Sequence, residues 1–282
     1  MGGCVSRYDG CLVPPCITHS DSCALCGCCC SHGEGVCGTC ERTRVRLVRS
    51  DKDPDAPPVE PLTGSASAPP VAYALRMPPV LQQGHINACA VNAVANVLNY
   101  EFRRGRLSRM FMYWTARHHI ARMADLAPDA GCSLRDVCRA VMAFGACDEG
   151  VWPYARKLIG RRPPGQVYKA ARALPPVRYE MMAQKLPNLV DCLARGHPIV
   201  MGMSVFTNIR GARHTGVVSM PGPGDVHLGG HAVVLCGYDM RTRFFRIQNC
   251  WGTAWGDEGY MHMPFEYVLD PDLCWDIWVL RV

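Results

Sequence analysis

No short basic stretch followed by an apolar run opens this 282-residue chain, so nothing at its start reads as a secretory signal. No stretch reads as a membrane span either. The one long uncharged run, residues 77–100, carries Gln82, Gln83, His85, Asn87, Asn92, Asn96 and Asn99, polar groups that lipid would leave unsatisfied. A basic stripe interleaved with aromatics is also missing. The net charge of +6 is mild and the arginines are scattered, which argues against nucleic acid as a partner. What remains is a protein that is soluble or anchored at a surface, long enough for one large domain or two lobes with real cores.

Cysteine is plentiful but uneven: ten of the eighteen lie within residues 1–40. Without a secretory context, such clustering points to metal binding, lipidation or low complexity before disulfides. Met1-Gly2-Gly3-Cys4-Val5-Ser6 fits the pattern for myristoylation of Gly2, with Cys4 beside it as a site for palmitoylation. One myristoyl chain holds a membrane weakly; Cys4 and the basic Arg42, Arg44, Arg46 and Arg49 are candidates for the second signal. The expected localisation is therefore cytoplasmic, on the cytoplasmic face of a membrane. Cys23 with Cys26 and Cys37 with Cys40 form two CxxC pairs, each suited to a knuckle that presents two thiolates to a tetrahedral Zn²⁺. Cys28, Cys29 and Cys30 make such spacing easy to find by chance, so a disordered, multiply acylated segment is the competing reading. Residues 1–49 thus read as a Cys-rich segment, and residues 50–70, rich in Pro, Asp, Ser and Ala, as an extended linker.

The folded domain is expected over residues 71–282. Its first half reads as helical. A helix opens at Cys89 with Val91, Val94, Ala95 and Leu98 on one face; a second follows Ser108 to about Met123. A third, over residues 134–144, has Ser133 and Asp136 as a capping box and Gly145 as its stop; a fourth, short one ends near Ala194. After Pro198 the pattern turns to β-branched and aromatic runs at residues 199–206, 231–238, 244–249 and 275–282, read as an antiparallel sheet or barrel. Residues 207–228 read as a surface loop. A helical lobe followed by a β lobe leaves a cleft between them, a favoured place for chemistry.

Cys89 at the first turn of a helix is a candidate nucleophile, because the thiolate is the reactive form and unpaired N–H groups there favour it. Gln83, six positions upstream, can bring an amide to the same place. A cysteine nucleophile needs a base and a group to orient that base. His231 opens the apolar strand HAVVLCGYD, and the strand FFRIQNCW follows after a short turn. If the two form a hairpin about residues 239–242, paired positions sum to about 480, and His231 falls opposite Asn249 to within a residue.

Gln83-Gly84 with Cys89, Gly230-His231-Ala232, and Asn249-Cys250-Trp251-Gly252 followed by Trp255-Gly256 resemble, in order, the signature blocks of papain-like (cathepsin-type) cysteine peptidases. Leu107-Ser108, Leu134-Arg135-Asp136, Trp152-Pro153-Tyr154, Gly196-His197-Pro198 and Gly237-Tyr238-Asp239 are similar to the framework of the papain-like peptidases of bacteria and large DNA viruses. The resemblance implies an α+β two-lobe fold, with an N-terminal helical lobe, a C-terminal antiparallel β-barrel lobe and the site between them. It implies a thiol endopeptidase acting on proteins or peptides, with no cofactor for catalysis. Cys89 would be the nucleophile, His231 the base, Asn249 its orienter, Gln83 an oxyanion donor, and Trp251 and Gly230 supports. Where the family has Gly-Ser before the nucleophile, this chain has Asn87-Ala88, so these two residues are expected to face substrate and to narrow the cleft. Ala90 stands where a Trp is common, and Ile86 where secreted members have a disulfide cysteine. The residues before Val71 do not look like the family's helical inhibitory propeptide, so control is expected from location or from the N-terminal segment itself. The alternative reading is a catalytically silent fold of this kind that binds a peptide or partner protein.

Overall fold

A computed structural model describes Leu47, Arg49, Ser50, residues 70–126 and residues 128–282. Gly2, Cys4 and the CxxC cysteines Cys23, Cys26, Cys37 and Cys40 lie outside the described residues, as does most of the linker. Among the described residues, no helix is long and apolar enough to cross a membrane, and no group of His, Cys, Asp or Glu is placed to hold a metal ion.

Helix α1, Cys89–Glu101, is buried along nearly its whole length. The asparagines that argued against a membrane span tie it to its surroundings. Arg109 donates to Asn92 Oδ1 at 2.8 Å, Asn96 donates to Gln248, and Leu107 N donates to Asn99 Oδ1 at 3.0 Å. Buried amides that are each hydrogen-bonded cost little and fix the rotation of the helix about its axis.

Helix α2, Arg109–Thr115, is capped by Ser108, whose hydroxyl accepts from Phe111 N and donates to Trp152 O. It stops well short of Met123. Thr115 Oγ1 donates back to the carbonyls of Phe111 and Met112, and the chain widens into a π-helical turn over Ala116–Ile120. That turn carries the buried Arg117 over the Tyr113 ring and onto the carbonyl of Pro128. Helix α3, Leu134–Phe144, begins and ends where its capping signals put it: Ser133 accepts from Asp136 N at 3.0 Å, and Gly145 follows at φ +75°. A Cβ at Gly145 would lie 2.2 Å from Ala171 O, so both conformation and space require glycine there. Helices α4, Gly165–Ala171, and α5, Leu186–Ala194, complete this half.

The strands are β1 (Ala72–Ala74), β2 (Arg178–Met181), β3 (Ile199–Phe206), β4 (His227–Asp239), β5 (Phe244–Gln248), β6 (Tyr260–Pro264) and β7 (Cys274–Arg281). They form one antiparallel sheet in the order β2-β7-β3-β4-β5-β6, with β1 pairing the end of β4. The sheet is not closed into the expected barrel. Its terminal strands, β2 and β6, have four and five residues. Strand β6 runs into Pro264, which has no N–H to extend a ladder, and the chain turns at once into helix α7, Phe265–Leu269. Residues 207–228 are more than a surface loop: they hold a 3₁₀ turn and a short helix α6, Ala212–Thr215, and Val218 N donates to His262 O of β6.

The β4–β5 hairpin forms with a register different from the expected one. Asp239 pairs with Phe244, leaving residues 240–243 as the turn, with Arg243 left-handed at φ +61°. A bulge between Leu235 and Gly237 shifts the ladder back by one residue. The ladder ends at Gln248, so Asn249 lies beyond it and not directly opposite His231.

Candidate active site

The loop before α1 is a tight turn with Gly84 and His85 at the surface and Gln83 and Ile86 buried. Gly84 is left-handed at φ +60°, and Gln83 N donates to Cys250 O at 2.8 Å, tying the loop to the segment after β5. Ala88, the helix cap, has no side chain that can accept the first-turn N–H groups. Those donors therefore stay available beside the side chain of Cys89, the first helical residue.

Burial pushes the Cys89 thiol up to about 11, and the negative charge of Asp129 adds to this; hydrogen bonds from the backbones of Ala232, Ala90 and Cys89 itself act the other way. The contact with Ala232 puts the sulfur next to the residue that follows His231. A thiol in this setting stays protonated at neutral pH unless a cation faces it.

His231 is buried on β4. Its Nε2 lies 2.8 Å from Asn249 Oδ1, the same oxygen that accepts from Cys250 N at 2.8 Å. The backbone donor identifies that atom as the carbonyl oxygen, which only accepts, so Nε2 carries a proton. In the neutral ring, Nδ1 is then the basic nitrogen. The expected hydrogen bond thus forms despite the shifted register, because the asparagine side chain reaches back past the end of the ladder. Trp251 stacks on the imidazole with ring centroids 4.5 Å apart, and Trp255 packs edge-on to Trp251 at 5.0 Å.

Gln83 is fully buried at the same junction. Its Nε2 donates to Ile86 O at 2.9 Å, and its Oε1 accepts from the Cys250 thiol at 3.1 Å. A primary amide has a second N–H, so one donor is committed to the turn and the other is not. Asn87 is fastened to a neighbouring segment: its N–H donates to Asp129 Oδ2 and its Nδ2 to Asp129 O. Ala88 is buried. Gly230 is in β4, opposite Ser204.

A buried polar network beneath the loop did not stand out in the sequence. Arg109 binds Glu149 through two hydrogen bonds of 2.9 and 3.0 Å, donates to Gln82 O and Asn92 Oδ1, and stacks its guanidinium 3.6 Å from the Tyr154 ring centroid. Tyr154 OH donates to Gln83 O, and Asn92 Nδ2 donates to Ala88 O at the start of α1. Tyr113 OH holds Asp129 at 2.7 Å. Tyr154 belongs to the Trp152-Pro153-Tyr154 run that the resemblance marks as framework; Arg109 and Glu149 are forty residues apart and carry no local signal.

Known proteins resemble this chain in sequence and fold. Residues 130–268 match the family model described as papain family cysteine protease; the matched span contains His231 and Asn249 and begins after Cys89. An uncharacterised peptidase C1-like protein of Acanthamoeba polyphaga mimivirus is 29% identical over 217 residues, covering 71% of this chain and 69% of that protein. A cathepsin B-like protein of Giardia intestinalis is 27% identical over 222 residues, 71% of each chain. Among solved structures, xylellain, a cysteine protease from Xylella fastidiosa, superposes with a TM-score of 0.79 at 29% identity, covering 86% of this chain and 97% of its own.

Proposed function

From the premise that this chain carries a papain-family cysteine peptidase domain, we propose that it is a thiol endopeptidase in which Cys89 is the nucleophile, His231 the acid–base, Asn249 the orienter and Gln83 an oxyanion donor. The observation that carries the assignment is the doubly accepting Asn249 Oδ1, which holds the proton on Nε2 and leaves Nδ1 as the basic nitrogen. Transfer of the thiol proton to Nδ1 gives a thiolate facing an imidazolium, the cation that the buried sulfur needs. The sulfur attacks the scissile carbonyl carbon. The oxyanion that forms meets the Cys89 N–H and the second N–H of Gln83, a donor type whose loss costs about 2.7–4 kcal/mol in other enzymes. His231 gives its proton to the departing amine as the C–N bond breaks, leaving a thioester. It then takes a proton from the attacking water, and the second oxyanion collapses to free acid and thiol. The stacked Trp251 keeps water from the His231–Asn249 bond.

The N-terminal segment supplies location in this reading. Acyl chains on Gly2 and Cys4 tether the enzyme to the cytoplasmic face of a membrane, and a zinc ion held by Cys23, Cys26, Cys37 and Cys40 has a structural role and takes no part in catalysis. Metabolic labelling with an alkyne myristate in wild type and Gly2→Ala tests the first, and metal analysis of the whole chain the second. The test of the catalytic assignment is covalent labelling by a peptidyl epoxide under reducing conditions. Labelling of wild type but not of Cys89→Ala is the expected result. No Cys89-dependent labelling would leave the binding module as the better reading.

A further inference from the structure

Fourteen of the thirty arginine and lysine residues, but only six of the twenty-four acidic ones, lie between Glu101 and Arg172; fourteen less six gives this stretch a formal charge of +8, against +6 for the whole chain. Exposure sharpens the imbalance. Ten of the fourteen cations are exposed, whereas of the six carboxylates only Asp125 and Asp148 are. The other four carboxylates have internal partners: Glu149 binds Arg109, Asp129 accepts from Tyr113 and Asn87, Asp136 lies beside Arg135, and Glu101 beside His197.

These cations are scattered along the chain, and the fold gathers them. No acidic residue occurs in residues 102–124 or in residues 150–179, and these two stretches pack on each other. The Phe111 and Tyr168 rings meet edge-on at 5.1 Å, Trp114 Nε1 donates to Tyr168 OH at 2.9 Å, and His119 Nε2 lies 3.0 Å from the same hydroxyl. The exposed cations surround this junction. Arg122 follows the π-helical turn at φ +49°, Arg161 and Arg162 precede α4, and Lys169 and Arg172 share a face at its end, three residues apart. Burial, the adjacent His118 and Arg162 hold the His119 imidazole below its ordinary value, so Arg162 acts on the π-helical turn from the second stretch.

We propose that this face, with Arg122, Arg161, Arg162, Lys169 and Arg172, docks on an anionic phospholipid surface. Its cations are carried on long side chains in loops and at a helix end, spread over the junction, which suits diffuse attraction to many phosphates. Nucleic acid is matched less well, because Phe111, Trp114 and Tyr168, the rings that could stack on bases, are packed on one another. The face adds to the proposed acyl tether without resting on it, since either can fail with the other intact. Arg156, in the second stretch, donates to His85 O in the loop before Cys89, so the docked half of the molecule also carries the nucleophile.

The whole chain carrying Gly2→Ala and Cys4→Ala cannot take the acyl tether and so isolates the face. Its co-sedimentation is measured with vesicles of phosphatidylcholine alone and with vesicles that also contain phosphatidylserine. Binding is expected to the anionic vesicles only, and should weaken as salt is raised. In that background Arg162→Glu should lower the partition coefficient by at least about fivefold, and Arg161→Glu, Arg162→Glu and Lys169→Glu together by about a hundredfold, from the worth of each cation near such a surface. These side chains are exposed, so the unfolding midpoint of the triple variant should stay in place, which separates lost docking from lost fold. Lys185→Glu makes the same charge change at the start of α5, outside both stretches, and should weaken binding less than Arg162→Glu. Equal binding to both kinds of vesicle, a triple variant that binds as its parent does, or equal losses from Lys185→Glu and Arg162→Glu would each overturn the proposal. Tighter binding of a single-stranded RNA oligonucleotide than of anionic vesicles, at the same salt and phosphate concentration, would also overturn it and give the face to nucleic acid.

Discussion

Cys89 and His231 are held in place by different kinds of structure. Cys89 begins a helix whose start is fixed by buried polar contacts: Asn92 to Ala88 within the helix's own first turn and, from distant parts of the chain, Arg109 to Asn92 and Gln82, Tyr154 to Gln83, and Asn87 to Asp129. His231 sits on a strand fixed by its ladder with β3, and its orientation comes from neighbours in one short stretch, Asn249 and Trp251. A helix terminus cannot borrow a neighbour's backbone, so its anchors must be side chains; a strand's position comes with the sheet. Damage should therefore appear as lost stability on the first side and lost turnover on the second.

The largest effect tests what the two sides share. Cys89→Ala and His231→Ala should each lower kcat on a peptide substrate by about four to six orders of magnitude, and the double variant no further, as for groups that act as a unit. Additive losses would mean that the residues work separately. Next comes the helical side. Arg109→Met strands the Glu149 carboxylate in a site that is 17% exposed, so urea unfolding should show a loss of about 3–5 kcal/mol. A change within about 1 kcal/mol, the worth of a surface pair, would remove the contrast between the two sides.

Gln83→Ala should cost about 2.7–4 kcal/mol in transition-state stabilisation, seen as a fall in kcat/KM on peptides. It lies where the sides meet, so some stability should go with it through the bonds to Ile86 and Cys250. Asn249→Ala should lower kcat by about a hundredfold, the low end of what acid–base catalysis contributes, and should leave the unfolding midpoint nearly in place. If its main effect is on stability, the sheet side is anchored like the helix side.

The smallest effect is a pH dependence common to both halves. Burial pushes the Cys147 thiol up to about 11 and the Cys236 thiol up to about 12, whereas the unfolded chain ionises near 9.0. Each raised value favours the folded, protonated thiol. Its stabilisation is complete below the unfolded value and is lost as pH rises towards the folded one, because the unfolded state then binds fewer protons. Unfolding free energies measured between neutral pH and about pH 10 should fall by roughly 1 kcal/mol per thiol per pH unit above the unfolded value. Cys236→Ala should shallow that slope; an unchanged slope would mean that the thiol ionises alike in the folded and the unfolded chain.

Much of the frame was legible where a local rule sufficed. Helix α3 was readable at both ends because Ser133, Asp136 and Gly145 are capping chemistry within one segment. Strand β3 was readable because eight residues of apolar, β-branched pattern precede a turn. Helix α2 was read too long, since the back-bonding hydroxyl of Thr115 competes with the helix only in three dimensions. Strands β1, β2 and β6 went unread because they are short and are made strands by their partners. The open sheet differs from the expected barrel for a related reason, as closure depends on pairing between strand ends that no single stretch encodes.

The order and spacing of Gln83, Cys89, His231 and Asn249 are legible in the sequence through their resemblance to the signature blocks of papain-like peptidases, since eighteen cysteines and ten histidines do not by residue type single out a pair. The hairpin signal was also enough to bring His231 and Asn249 together, although the register differed, since a flexible amide tolerates an offset that a backbone ladder does not. Only the tertiary structure decided how the start of helix α1 is supported and what packs against the glycines of β3 and β4. Arg109 finds Glu149, and Leu47 finds the gap left by Gly202 and Gly230, through contacts between segments far apart in the chain. A pocket is defined by absent atoms on one strand and a side chain from another, and neither carries a sequence pattern until the fold brings them within van der Waals distance.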